Sequence, residues 1–229
     1  MKCQLLVPAA GAGVRLGRQG PKALVDLAGQ PMLVRTLRRF EPLELTDNAI
    51  IVVPPGETGT FGAVLTQTFP HSSFVLVEGG AERQLSVAKG LDQLAPDMDM
   101  VVIHDAARPF VSTAYVLAAI EAGRAHGAAT VAVPCSDTIR KGDEEDFLVE
   151  TPERKGLWAC QTPQVFRIDV IRQAHEAARR DRFIGTDDAS LVRRIGHPVK
   201  LVRGSPTNLK ITTPADLDWA MCMVERGTE

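Results

Sequence analysis

Five short, β-prone apolar runs separated by longer amphipathic segments leave few folds open to this chain. They are "CQLLVP" (3–8), "AIIVVP" (49–54), "SFVLVE" (73–78), "DMVVIH" (99–104) and "ATVAVP" (129–134). Strand-length runs alternating with helix-length segments are the signature of βα units on a mostly parallel sheet. Most of the runs are apolar at consecutive positions, so both faces of the sheet must be covered by helices. Helix boundaries are written in the caps: Pro31 in the first turn of "PMLVRTLRRF", and Ser112 and Gly127 at the two ends of "STAYVLAAIEAGRAHG". Thr213, Pro214 and Asp216 open "TPADLDWAMCMVE" as a capping box. The expected class is α/β, and 229 residues that are 45% hydrophobic can bury the core of one domain spanning 1–229.

One segment breaks this rhythm. Residues 135–156, "CSDTIRKGDEEDFLVETPERKG", hold a dense acidic run between two β-prone pieces, "TIRK" and "FLVET". The pattern predicts a projecting hairpin; the competing reading is a solvated loop without a role.

Composition excludes several partners. A net charge of −2 gives no basic field for long nucleic acids, although local cations can still hold phosphates on small molecules. Cys3, Cys135, Cys160 and Cys222 are scattered, with no Cys/His grouping at ligand spacing, so reduced cysteines and no protein metal ligands are expected. No signal-peptide pattern and no apolar run of membrane-spanning length is visible, which makes the cytoplasm the expected location.

Three loops carry the chemistry. The first, "PAAGAGVRLGRQGPKAL" (8–24), places Gly11, Gly13 and Gly17 directly after the first strand, where bare backbone N–H groups can approach a phosphate. Its spacing is neither G-x-G-x-x-G nor a Walker A. Instead, Arg15 inside the loop and Lys22 behind Pro21 can clamp a polyphosphate; the bland alternative is a tight turn with solvated cations. The second, "HDAARPF" (104–110), ends the fourth run. Asp105 suits a metal ion or a sugar hydroxyl and Arg108 an anion, unless the two simply pair as a helix cap. The third, "EGGAERQLSVAKGL", follows the third run with Gly79 and Gly80 for close backbone approach, and with Ser86, which otherwise caps or faces solvent. No Ser/His/Asp order, Cys/His pair or carboxylate pair calls for acid–base roles.

These loops, in this order, with "DTIRK", "RKGLWACQTPQVF", "TDDAS" and "NLKITTPADL" after them, resemble the 2-C-methyl-D-erythritol 4-phosphate cytidylyltransferase family over nearly the whole chain. The resemblance implies a Rossmann-like nucleotidyltransferase sheet with a protruding arm, here 135–156, that interlocks a homodimer. It implies transfer of the cytidylyl group of CTP to methylerythritol 4-phosphate with Mg2+, releasing pyrophosphate. Arg15 and Lys22 correspond to the family's catalytic cations. Ala9, Ala10, Gly11, Gly13, Gly80 and Ser86 fall in the nucleotide-binding loops. Asp105, Arg108 and Lys210 correspond to positions around the sugar phosphate, with Thr138 and Arg154 reaching it from the neighbouring subunit. Ala81 and Leu85 stand where relatives often carry Asp, and "PKAL" replaces "PKQY", departures that touch base contacts. The alternatives are a ribitol 5-phosphate cytidylyltransferase, which shares most of these motifs, and a non-catalytic nucleotide-binding module on the same fold. No fused cyclodiphosphate synthase is expected in 229 residues.

Overall fold

A computed structural model describes residues 1–227 apart from 12, 14, 15, 18 and 19. Each of the five runs forms a strand: β1 (Cys3–Pro8), β4 (Ala49–Val53), β5 (Phe74–Glu78), β6 (Met100–Ile103) and β7 (Ala128–Pro134). Two further strands, β10 (Trp158–Arg167) and β11 (Lys200–Arg203), complete a seven-stranded sheet of order β11-β7-β10-β6-β1-β4-β5. All neighbours pair in parallel except β10, which runs antiparallel to both β6 and β7. β2 (Asp26–Leu27) and β3 (Gln30–Pro31) form a small separate ribbon.

Sequence reading missed β10 and β11 for different reasons. β10 carries Gln161, Pro163 and Gln164, and its pairing with β7 shifts register between Cys160 and Gln164, an irregularity that tolerates a residue lacking an N–H. β11 is a four-residue edge strand with a charge at each end and little burial, so it shows no apolar run.

Alternation along the strands divides the core in two. Leu5, Val7, Ile51 and Val102 face α1 (Met32–Arg38), α2 (Thr58–Thr68) and α4 (Thr113–His126), meeting Leu37, Phe61 and Ile120. Leu6, Ile50, Val52 and Val101 face α3 (Arg83–Leu91), α5 (Ile168–Arg180) and α6 (Asp188–Arg194), meeting Val87, Ile171 and Val192. Each such buried side chain contributes about 1.5–3 kcal/mol. A third cluster packs α7 (Pro214–Glu225) through Leu217 and Ala220 on Leu16, Phe110 and Ile211. Leu16 thereby ties the glycine loop to the C-terminal helix.

The caps behave largely as their residue types dictate. Ser112 accepts from the Ala114 N–H, and Gly127 closes α4 at φ 80°. Thr213 and Asp216 cap α7 reciprocally. Pro31 is the residue before α1 and not in its first turn.

Residues 135–156 leave the sheet after β7. Within them β8 (Lys141–Gly142) pairs antiparallel with β9 (Leu148–Glu150), a shorter hairpin than the β-prone pieces suggest, and every strand residue is exposed.

Candidate active site

β1 is followed by β4 and β5 on one side and has β6 on the other, so the strand order reverses at β1 and a crevice opens beyond the strand ends there. A cavity of about 520 Å³ occupies that place. Much of its wall is main chain and methyl groups: Ala9 to Gly11 after β1, Gly80 and Ala81 after β5, Ala106 and Ala107 after β6. Lys22, Arg83 and Lys210 bring positive charge to it, and Glu82 and Asp105 negative charge.

Close packing of bare backbone shapes the end of the cavity between the loops after β1 and β5. Gly79 donates its N–H to Val53 O at 2.8 Å, and Gly80 donates to Ser86 Oγ at 3.1 Å, while the Ser86 hydroxyl donates to Glu82 O. Ser86, 2% exposed, therefore braces the Gly79–Gly80 loop. A Cβ at Gly79 would lie 2.6 Å from Ala10 Cβ and 2.8 Å from Ser86 Oγ, so the two loops touch only because this residue is glycine. Gly79→Ala should wedge them apart, costing about 1–3 kcal/mol of stability as an overpacked contact and raising the KM for the substrate held between the two loops. Denaturant unfolding and steady-state kinetics check both effects.

Lys22 is placed by local rules. Pro21, at φ −62°, leads into a single 3-10 turn at Lys22–Leu24, and the buried Ala23 anchors that turn in the core. Gly13 sits against the Lys22 stem at φ 68°, where a Cβ would come within 2.8 Å of Lys22 Cβ. Arg15 lies outside the described residues.

Asp105 is the charged centre of the cavity. Its Oδ1 accepts from Arg83 Nε at 3.1 Å and its Oδ2 from Lys210 Nζ at 2.8 Å. Arg83 also reaches Asp188 Oδ2 at 2.7 Å, and Asp188 Oδ1 lies 3.0 Å from His175 Nε2. Burial alone would raise the Asp105 pKa, but the Arg83 and Lys210 cations outweigh it and hold the carboxyl well below the usual range. Asp188 is likewise lowered, burial being overcome by Arg83 and His175.

His104 is neutral and fully engaged. Its Nε2 faces Arg108 O at 3.1 Å, an acceptor, so Nε2 carries the proton; Nδ1 then accepts from Thr162 Oγ1, which in turn accepts from the Asp105 N–H. Burial pushes the imidazole down to about 4. Because the folded value lies below the unfolded one near 6.5, the contribution to stability is complete above pH 6.5 and is lost as pH falls toward 4. About 2 kcal/mol should be gone by pH 5, before the paired carboxylates begin to protonate. NMR titration of the His104 ring checks the cause: its midpoint is expected below pH 5, and one near 6.5 would remove it.

The structure brings together in one cavity Ala9, Ala10, Gly11, Gly13, Lys22, Gly80, Ser86, Asp105 and Lys210 of the residues singled out in the sequence. Arg108 is not in its lining. The guanidinium is buried and donates from Nη1 to Asn208 O at 2.7 Å and from Nη2 to Cys160 O at 3.2 Å, with Nε 3.9 Å from Asp105. Thr138 and Arg154 belong to the arm; Arg154 donates to Ser136 O and lines a second cavity, of about 530 Å³, with Trp158 and Arg203 at the arm's base. Sequence reading gave no role to Arg83, Asp188, His175 or Thr162. A signal was available in "TDDAS": Asp187 caps α6 by accepting from Ser190 N, which leaves the second acid, Asp188, without a capping duty.

The donor set does not fit a resident metal ion. Among the described residues no three His, Cys, Asp or Glu side chains converge, and both Asp105 oxygens already hold cations. The four cysteines are unpaired.

A mostly parallel sheet, a glycine-rich loop at its switch point and converging cations define a Rossmann-like α/β nucleotidyltransferase. The family model described as 2-C-methyl-D-erythritol 4-phosphate cytidylyltransferase matches residues 3–226, and the chain belongs to that family. It is 42% identical to the 2-C-methyl-D-erythritol 4-phosphate cytidylyltransferase of Pelotomaculum thermopropionicum, over 98% of this chain and 94% of the relative. Identity to the Geobacillus kaustophilus protein of the same name is 44%, over 96% of each. The crystal structure of the Thermus thermophilus protein of that name superposes with a TM-score of 0.82 at 35% identity, covering 98% of this chain and 100% of that one. The 4-diphosphocytidyl-2C-methyl-D-erythritol synthase of Anaerococcus prevotii gives 0.85 at 29% identity, covering 98% and 99%. No helix of the described residues is long and apolar enough to cross a membrane.

Proposed function

We propose that this chain transfers the cytidylyl group of CTP to 2-C-methyl-D-erythritol 4-phosphate, giving 4-diphosphocytidyl-2-C-methyl-D-erythritol and pyrophosphate. The observation that carries the reading is the cavity itself, in which Lys22, Arg83 and Lys210 meet main-chain walls at the strand switch point. The relatives' names favour methylerythritol phosphate over ribitol phosphate as acceptor.

The acid–base candidates in this region are already committed. His104 is neutral with both ring nitrogens bonded, and Asp105 is ionised with both oxygens on cations. The reaction needs neither, because a phosphate monoester with a second pKa of roughly 6 is mostly dianionic at neutral pH. What remains for the protein is to bring two anions together and to neutralise the charge that builds on the α-phosphate and the leaving pyrophosphate. Lys22 is assigned that role, together with Arg15. The small residues of both nucleotide loops select a pyrimidine by excluding a larger ring. Asp105 and Lys210 orient the acceptor. Arg108 supports that end by tying Asn208 and Cys160 carbonyls beneath it. Thr138 and Arg154 serve the neighbouring subunit, in a homodimer built through residues 135–156. Mg2+ enters this reading with the phosphates of CTP, whose oxygens are its preferred hard donors. The enzyme works as one cytoplasmic catalytic unit.

Pyrophosphate release with CTP and each polyol phosphate in turn tests the reading. Methylerythritol phosphate should exceed ribitol 5-phosphate, and CTP should exceed ATP by at least 100-fold in kcat/KM. No release with any acceptor would favour a non-catalytic nucleotide-binding module.

A further inference from the structure

We propose that Arg83 is a positioning residue for the acceptor phosphate: by gripping Asp105 from one side it sets where Asp105 holds Lys210 on the other. This rests on the reading above that Lys210 meets the acceptor.

The geometry is a chain of polar side-chain contacts running out of the core into the cavity. His175 on α5 meets Asp188 on α6, Asp188 meets Arg83 on α3, Arg83 meets Asp105 after β6, and Asp105 meets Lys210 on the segment before α7. Side-chain exposure along it is 8% at His175, 1% at Asp188, 27% at Arg83, 10% at Asp105 and 40% at Lys210, so the outermost member is the most exposed. The inner members are therefore fixed by packing, and Lys210, the outermost, takes its position from them. The backbone under Lys210 is pinned as well, since Ile211 N donates to Ala107 O at 2.9 Å.

Arginine suits this place for two reasons. Two different nitrogens of one rigid planar group serve two carboxylates at once, which a lysine point charge cannot do in fixed geometry. Its charge also lets two buried carboxylates stay ionised; without it Asp188 would have His175 alone and Asp105 would keep only Lys210 and the distant Arg108 Nε. With Arg83 in place, each carboxylate oxygen of Asp105 has one strong donor, so Lys210 is drawn to Oδ2 and to no other position. Partners one step removed from metal ligands govern affinity or activity by about 10–100-fold, and an effect of that order is expected of Arg83 on the Lys210 contact.

The test is a cycle of Arg83→Gln, Lys210→Ala and the double variant, assayed with CTP and 2-C-methyl-D-erythritol 4-phosphate on protein shown to be folded by circular dichroism. Arg83→Gln should lower kcat/KM for the acceptor 10–100-fold while moving the KM for CTP less than threefold. The double variant should be no worse than Lys210→Ala alone, because one effect passes through the other. Arg83→Lys should recover part of the loss. Should Arg83→Gln fail to fold, Arg83→Gln combined with Asp188→Asn removes the charge and its inner partner together, and the same cycle is run on that background. Additive losses, or equal loss for both substrates, mean that Arg83 only stabilises the fold and overturn the proposal while leaving the proposed reaction intact. An unchanged acceptor KM in Lys210→Ala overturns both the proposal and the role given to Lys210.

Discussion

Lys22→Ala is expected to lose 10²- to 10³-fold in kcat with no change of fold. A preorganised cation that meets charge developing in the transition state is worth that much, and little of it appears in ground-state binding. Lys22 lines the cavity on a turn held by the buried Ala23, so removing the ammonium leaves the turn's own anchor untouched. The stem supports Gly13, which lies against it, and Lys22→Met keeps that contact while deleting the charge. Both variants should melt near the parent temperature. Pyrophosphate release within about threefold of the parent in Lys22→Met would show that the charge does not act on the reaction.

The second large effect concerns the arm. Phe147, Leu148 and Val149 are 67%, 57% and 59% exposed, three consecutive apolar side chains on a hairpin whose strands pair only with each other. A two-stranded ribbon of this size is marginal in water, and such an apolar tip calls for a covering surface. In the proposed homodimer a second copy would supply one, and twofold symmetry would make the exchange reciprocal. Arg154 does not line the cavity of its own chain, so a role at an acceptor phosphate has to be played in the partner's. Arg154→Ala and Lys22→Ala should therefore each be nearly inactive alone, and mixed under conditions of subunit exchange should regain up to about a quarter of parent activity. Half of the dimers are then mixed, and one of their two sites has both groups intact. If exchange is verified by mass and no activity returns, Arg154 does not act across the interface.

Much of the architecture was legible because it rests on local rules. Runs such as "AIIVV" have no stable place except a covered parallel sheet, and Ser112, Gly127 and the Thr213–Asp216 box mark helix ends by hydrogen-bonding chemistry confined to one turn. Most of the cavity lining could be named in advance for a related reason: loops leaving parallel strands emerge at one edge, so Gly11, Gly80 and Asp105 had to meet. β10 and β11 stayed hidden because their stability comes from neighbours, not from an apolar run of their own.

What the sequence by itself determined is thus the layer order, the edge at which ligands bind and the residue types available there. Tertiary structure alone decided how the charges are shared. Arg83 and Asp188 stand 105 positions apart, and Asp105 and Lys210 the same number, so no spacing rule could join them. The sequence reading gives an anion to Arg108 and no role to Arg83, yet packing commits Arg108 to carbonyl oxygens under the site and leaves Arg83 in the cavity wall. The physical reason is that a buried charge must be compensated wherever the fold places it, and which partner does so depends on three-dimensional distance and desolvation, neither of which is encoded in sequence separation.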